Sequence, residues 1–467
     1  MNFTQNLYEG EVEESITHQV NENFDRLLSS LLQKGNFHPH CREARNILIV
    51  IHGISNGGSE RATTLLANAL VDIVETVTVL TFSKDQQEYQ LSPSIKRYNT
   101  PREKFRSVET IRLLRLLQID TIIFEDHWIE ETMKDILWAR MLNFNVIIQE
   151  HATFLYPLYT GQVDLMLLRK DAYRFASAVT CLSEMDKFFW LSSGINATYL
   201  PNFLTFDHDK VGKVTFCDRE LAVAVVGRQS FLKGLDRLPT LISNVVNRLP
   251  GVKFYICGNF VSEFEKRWFI SELKRLNITN NVICRGFCSN VAEIIQKARV
   301  HLLPSLIEGS PMVILEARSL RTPTVLFDME YIDSTRHGCL CLSSKNLELA
   351  AEKISQLLTH EDVWIELSDD TQVDLLKWSD NTIKAKWRSL FSSLGKEIAV
   401  NSDQRGRPDY LALQELYRAI NVTFRKEKLP ETYYVFINLV QKLCPQGSLR
   451  YKAARCIYHA VGRLFLR

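Results

Sequence analysis

Two stretches constrain this chain more than any others: NILIVIHG at residues 46–53 and LAVAVVG at 221–227. Each is an unbroken apolar run ended by glycine, the pattern of a strand buried on both faces of a parallel sheet. After the first come a glycine turn with a helix (ISNGGSERATTLLANALVD), a strand (TVTVLTF), a helix (SVETIRLLRLLQI) and the strands DTIIFED and FNVIIQEH. After the second come the helix LPTLISNVVNRL, the strand VKFYICG, the helix VSEFEKRWFISELKRL, the strand NVICRG, the helix NVAEIIQKA and the strand VHLLP. Strands alternating with helices at this spacing predict β-α-β units with right-handed crossovers. The fold class is therefore α/β, with two doubly wound, Rossmann-like domains in succession. A length of 467 residues agrees, being too long for one ordinary core.

Residues 1–44 read as a polar leader holding one amphipathic helix, VNENFDRLLSSLLQKG, with Phe24, Leu27, Leu28, Leu31 and Leu32 on one face. The first α/β domain spans 45–205, a polar linker 206–219 and the second α/β domain 220–375. Two such halves leave a cleft where the carboxyl ends of their strands face one another, and in folds of this kind that crevice is the ligand site.

Composition narrows what can fill it. With 46% hydrophobic and 24% charged residues the chain has a soluble globular composition, and a formal charge of +2 gives no global attraction for nucleic acid. The ten cysteines are scattered, and Cys284 with Cys288 or Cys339 with Cys341 lack the second half of a zinc pattern. Reduced thiols are expected. No apolar run approaches the ~18 residues of a membrane span, and no signal peptide supports glycosylation at Asn196 or Asn421. A cytoplasmic protein is expected, soluble or peripheral on the inner face of the membrane.

Three motifs carry chemistry. HGISNGGSERAT is neither a dinucleotide fingerprint nor a P-loop, since no Lys-Ser/Thr follows its last glycine, which removes most of the case for a dehydrogenase or an NTPase. What it retains is Gly57 and Gly58 at the start of a helix, where free N–H groups favour an anion but where an ordinary tight turn fits as well. In VVGRQSFLKGLDRL, Arg228 and Lys233 follow directly from a buried strand; two cations there suit a diphosphate whose departing charge must be stabilised, or are simply solvated. In IEGSPMVILEA, Ser310 is read as a helix N-cap and Pro311 as the first helical residue. Glu308 then lies in the loop and Glu316 on the helix, with the helix amides between them. Carboxylates accept hydrogen bonds from sugar hydroxyls and exposed amides bind phosphate, so the set describes a pocket for a nucleotide sugar.

With these residues in hand the sequence resembles the retaining nucleotide-sugar glycosyltransferases of GT-B architecture, family four, over roughly residues 46 to 390. The resemblance rests on GGSER, His151 in QEHATF, LSE at 182–184, PN at 201–202, GRQSFLKG, GF at 286–287 and PSLIEGSPMVILEA, in which two glutamates are separated by seven residues. It implies that Glu316 holds the donor ribose, that Glu308 contacts the transferred sugar, and that Arg228 and Lys233 neutralise the leaving diphosphate. Amides around Gly309, Ser310, Pro311, Met312 and Val313, with the Gly57–Gly58 turn, would assist. His151 would bind the sugar or orient the reacting groups, unless it is only a structural histidine, and backbone near Phe287 and Cys288 would read the base.

The resemblance further implies a UDP-, GDP- or ADP-sugar donor, a glycan or polyprenyl-linked acceptor, and no metal or other cofactor, because Arg228 and Lys233 supply the positive charge. It also implies that residues 376–395 form a closing helix that returns to the first domain. Other activities on the same architecture, a nucleotide-sugar epimerase or a phosphorylase, or a non-catalytic glycosyltransferase partner, are the competing readings. Beyond it lies a helical C-terminal extension, 396–467. Its last segment, SLRYKAARCIYHAVGRLFLR, is basic, and Leu449, Ala453, Cys456, Ile457, Ala460, Leu464 and Phe465 share one helical face. Such a helix can lie on an anionic membrane surface or pack on its own domain.

Overall fold

The computed structural model of the chain describes residues 3–34, 43–55, 57–85, 88–125, 129–160, 163–205, 214–288 and 290–394. The first domain contains α1 (Phe3–Glu22), α2 (Phe24–Lys34), β1 (Asn46–Ile51), α3 (Gly58–Leu70), β2 (Thr76–Thr81), β3 (Lys96–Asn99), α4 (Val108–Leu116), β4 (Thr121–Phe124) and α5 (Glu130–Met141). It continues through β5 (Asn145–Gln149), α6 (Leu155–Thr160), α7 (Val163–Tyr173), β6 (Ala178–Cys181), α8 (Glu184–Ser192) and β7 (Ala197–Tyr199). The second domain contains β8 (Glu220–Val226), α9 (Leu238–Arg248), β9 (Lys253–Cys257), α10 (Glu263–Arg275), β10 (Val282–Gly286), α11 (Val291–Lys297) and β11 (Ala298–Leu303). It closes with α12 (Met312–Ser319), β12 (Thr324–Phe327), β13 (Cys339–Leu342), α13 (Leu347–Thr359) and α14 (Glu361–Asp370), and α15 (Asp380–Leu394) follows.

Both sheets are parallel. The first has seven strands in the order β3-β2-β1-β4-β5-β6-β7, the second six in the order β10-β9-β8-β11-β12-β13. The two glycine-ended runs occupy equivalent places: β1 pairs with β2 and β4, and β8 with β9 and β11. In each sheet the chain first winds outward on one side and then crosses to the other. The switch points therefore fall between β1 and β4 and between β8 and β11, and the crevice at such a point is where ligands bind in open parallel sheets.

The domains are held in register by an apolar cluster that crosses between them. Phe154, Leu155, Tyr159 and Met185 of the first domain pack with Leu303, Leu306, Ile307, Ile314 and Tyr331 of the second. The helix α15 leaves the second domain and lies on the first, where Ile383, Trp387, Leu390, Phe391 and Leu394 share a core with Ile47, Ile49, Leu66 and Leu70. Lys384 Nζ meets Asp72 Oδ2 on α3's flank at 2.6 Å.

The N-terminal segment differs from its reading as a polar leader with one helix. Two helices dock on the first domain, broken at Asn23, and Val20, Phe24 and Leu28 are buried in the same core as Trp138 and Phe144. Among the described side chains of α1, Ile16 and Val20 carry the apolar contact, with Thr17 Oγ1 accepting from Trp138 Nε1 at 3.1 Å. That is too sparse a stripe to register as periodicity.

The described cysteines are free thiols. No helix among the described residues is long and apolar enough to cross a membrane. The extension 396–467, with its basic final segment, lies outside the described residues.

Candidate active site

The loops after β1, β5, β8 and β11 meet between the domains and line one cleft of about 1300 Å³. Gly57, Gly58, His151, Arg228, Lys233, Phe287, Cys288, Glu308, Gly309, Ser310, Pro311, Met312, Val313 and Glu316 all border it. Residues separated by more than 250 positions are thus brought to one cavity.

The cations come from the turn after β8. Arg228 is exposed at its start. Ser230 caps the short turn Phe231–Lys233, its Oγ accepting from Lys233 N at 3.3 Å, and Gly234 ends it in the left-handed region at φ +78°. A Cβ on Gly234 would lie 1.8 Å from the Pro304 carbonyl oxygen, so only glycine lets this turn press against the end of β11. That contact brings Lys233 Nζ to within 2.6 Å of Glu308 Oε1. Glu308 is held in turn by buried Tyr331, whose hydroxyl donates to the Glu308 carbonyl at 2.9 Å.

The helix after this loop starts one residue later than Ser310 capping and Pro311 at the first helical position would require. Pro311, at φ −68° and ψ 115°, is itself the N-cap, and Ser310 lies outside the helix. Proline has no N–H to lose there, and its carbonyl accepts from Ile314 N at 3.1 Å. The N–H groups of Met312 and Val313 are left at the cleft without an intrahelical acceptor.

Glu316, one turn further in, is buried and makes a contact that crosses the cleft. Its Oε1 accepts from Arg61 on α3 at 2.5 Å and from Thr205 Oγ1 at 3.2 Å. Burial pushes its carboxyl upward, opposed by Arg61 and by the Thr205 hydrogen bond.

On the first domain, His151 stands at the end of β5 with Nε2 paired to the Glu125 carboxylate, which ends β4 and is buried. A carboxylate accepts, so this pairing places the ring proton on Nε2. The following loop is tied down by buried Asp186, which accepts from Thr153 Oγ1 and Phe154 N, both at 2.9 Å, and whose carboxyl burial pushes up to about 6. Gly309 touches this loop: a Cβ there would lie 2.7 Å from the His151 carbonyl oxygen and 2.9 Å from Ala152 Cα. Gly309→Ala is therefore expected to push the two domains' loops apart, lowering kcat/KM about 100-fold through misplacement of the reacting groups, with little change in melting temperature. Steady-state kinetics beside a thermal melt check it.

Two details bear on the expected donor contacts. At the N-terminus of α3 the Glu60 carboxylate folds back over Gly57, so close that a Gly57 Cβ would sit 1.8 Å from Oε2. A carboxylate three residues into a helix satisfies the same electrostatic preference that a phosphate would; only Gly58 faces open space. At the other end, the Phe287 N–H is already donated to Asn259 Oδ1 at 3.1 Å, so Phe287 offers the cleft its half-exposed ring instead of that amide.

Residues not singled out from the sequence also belong here. Asn202 and Ser305 line the cleft, and Asn202 Oδ1 and Ser305 Oγ are buried with no hydrogen-bond partner among the described residues. Buried polar atoms are normally paired, so these two are what a site presents to a polar ligand. Tyr156 lies close enough to Arg228 and Glu308 to feel both charges. Glu125 had a signal, an acid at the carboxyl end of a strand beside the switch point; Arg61 had one too, a cation in a helix's first turn, the unfavourable end for it.

Known proteins resemble this chain across both domains. Residues 209–371 match the family model described as glycosyl transferases group 1. An N-acetylgalactosaminyltransferase of Campylobacter jejuni, named for a diphospho-undecaprenol-linked glycan, is 24% identical over 368 residues, covering 74% of this chain and 98% of its own. Residues 209–371 thus carry the group 1 glycosyltransferase pattern. The chain is also similar to the amylovoran biosynthesis glycosyltransferase AmsD of Erwinia amylovora, 22% identical over 358 residues and covering 74% and 99% of the two chains. Among solved structures, Anabaena HepE in complex with UDP and glucose superposes with a TM-score of 0.62 at 17% identity, over 75% of this chain and 100% of that one. Staphylococcus aureus TarM, crystallised with fondaparinux, alpha-GlcNAc-glycerol and UDP, superposes at 0.62 with 14% identity and the same coverage. The architecture is GT-B: two Rossmann-like domains with their strand ends turned toward a shared cleft.

Proposed function

We propose that this glycosyltransferase moves a sugar from a nucleoside-diphosphate sugar to a hydroxyl of a glycan or lipid-linked acceptor, with retention of anomeric configuration, in the assembly of cell-surface polysaccharide or glycoconjugate. The observation that carries the reading is the cluster at the second switch point. Arg228, the Lys233–Glu308 pair and the amides of Met312 and Val313 converge on one cleft with Glu316 buried behind them.

On this reading the diphosphate lies against Arg228, Lys233 and the start of α12. The bond from the anomeric carbon to the phosphate oxygen breaks as the acceptor oxygen bonds to that carbon on the same face, and the acceptor's proton passes to the departing phosphate. The cations and amides are fixed where charge grows, which is the main catalytic contribution available to such a site. Glu308 and His151 would position the sugar and the incoming hydroxyl, and Glu316 would take the ribose hydroxyls. No metal is invoked, since the two side-chain cations provide the charge.

Names of the relatives support the substrate class: a transferase acting on an undecaprenol-diphosphate-linked glycan, one in amylovoran biosynthesis, and a neighbour holding UDP. The test is a panel of UDP-, GDP- and ADP-sugars incubated with the full chain, read by thermal shift and by nucleoside diphosphate released. A donor present at a hundred times its Kd stabilises the folded state by about 2.7 kcal/mol. One donor should shift the melt and be turned over; failure of every donor to do either contradicts the reading.

A further inference from the structure

Glu316 is expected to meet the donor's ribose, yet the structure already gives it a partner from the other domain. Arg61 sits in the first turn of α3, 255 positions away in sequence, and its guanidinium reaches across the cleft to Glu316 Oε1. Three features make this more than a chance ion pair. A cation in the first turn of a helix opposes the helix dipole, so α3 gains nothing from it locally. The Glu316 side chain is only 4% exposed, while that of Arg61 is 28% exposed. A partly buried ion pair is weak support for stability in any case. Finally, Arg61 and Thr205 both bond to Oε1, and among the described residues Oε2 has no hydrogen bond although Glu316 lines the cleft.

We infer that Arg61 is a positioning residue of the donor site, holding Glu316 by Oε1 so that Oε2 is presented to the ribose hydroxyls of a nucleoside diphosphate. The inference rests on the proposed donor-binding role of Glu316. Burial alone drives a carboxyl toward its neutral form, which can accept less strongly from a sugar hydroxyl; the guanidinium opposes that. Among the described residues Thr205, the Tyr89 hydroxyl and the Glu60 carboxylate also lie near this pair, and Arg61 is the cation that opposes neutralisation of Glu316. The arrangement also makes the donor site complete only when α3 and α12 face each other, which ties donor binding to the juxtaposition of the two domains.

The experiment compares UDP with 2′-deoxy-UDP, and GDP and ADP with their deoxy forms, by calorimetric titration of the full chain. A carboxylate placed for ribose hydroxyls should favour the ribose form about tenfold or more in the wild type, and Glu316→Gln should erase that preference. Arg61→Gln is expected to erase it too and to weaken ribonucleotide binding about tenfold, with Arg61→Lys restoring part of both. A thermal melt shows that each variant is folded. Should Arg61→Gln keep the wild-type preference, or bind the ribonucleotide more tightly than the wild type, Arg61 does not position Glu316 and the inference is wrong. If the wild type itself shows no preference, or Glu316→Gln keeps it, the ribose role of Glu316 fails and takes this inference with it, a result distinct from failure in the Arg61 variants alone.

Discussion

Lys233→Ala is expected to lower turnover of the donor by about a thousandfold, the scale on which removing one fixed charge stabiliser acts in a preorganised site. The lysine ammonium is 2.6 Å from Glu308, and both sit where the diphosphate is proposed to depart. Lys233 pairs with Glu308, and with a donor bound it has a second anion to serve. Loss of the side chain removes that charge and leaves Glu308, itself mostly buried, repelling the diphosphate. Folding should be little affected, because the Lys233 side chain is a third exposed and the turn is held by Ser230 and Gly234. Single-turnover kinetics separate the two consequences: the chemical step should fall while the melting temperature stays within a few degrees. Wild-type turnover in the variant would remove Lys233 from the mechanism.

Glu316→Ala should be nearly as damaging, but through binding. Two charge-assisted hydrogen bonds to ribose hydroxyls, each contributing about 1.5–2 kcal/mol, amount to a loss of about 10²–10³ in kcat/KM. Because the ribose is distant from the bond being broken, most of the loss belongs in KM. The same change strips Arg61 of its partner, so some loss of stability accompanies it, and Glu316→Gln serves as the milder comparison. A variant with unaltered KM for every accepted donor would mean that the ribose sits elsewhere.

The fold was legible where burial is two-sided. After their first residue NILIVI and ELAVAVV are wholly apolar, and they became the strands at the two switch points. The edge strands of the first sheet escaped notice for the opposite reason: KRYN in β3 is half solvated and ATY in β7 spans three residues, so neither shows an apolar run. The α1 helix was invisible because, among its described side chains, Ile16 and Val20 alone join the apolar core.

At the site, the motif around Glu308 and Glu316 was readable because its chemistry is local: two acids, a proline and a helix start within eleven residues. What was not readable is whatever depends on a distant partner. Arg61 finds Glu316, and His151 finds Glu125, only through the stacking of parallel strands and the facing of two domains. Glu60 was in plain view in GGSER, but that its carboxylate would fold onto Gly57 is decided by side-chain geometry, to which motif spacing is blind.

The account stands or falls on where the nucleotide lies, and a crystal structure of the full chain soaked with UDP, or with whichever nucleoside diphosphate binds, measures that directly. The diphosphate should be found within hydrogen-bonding distance of Arg228, Lys233 and the Met312 and Val313 amides, with the ribose on Glu316. Nucleotide density on another surface, or a diphosphate in the cleft that leaves Lys233 and α12 untouched, would contradict it.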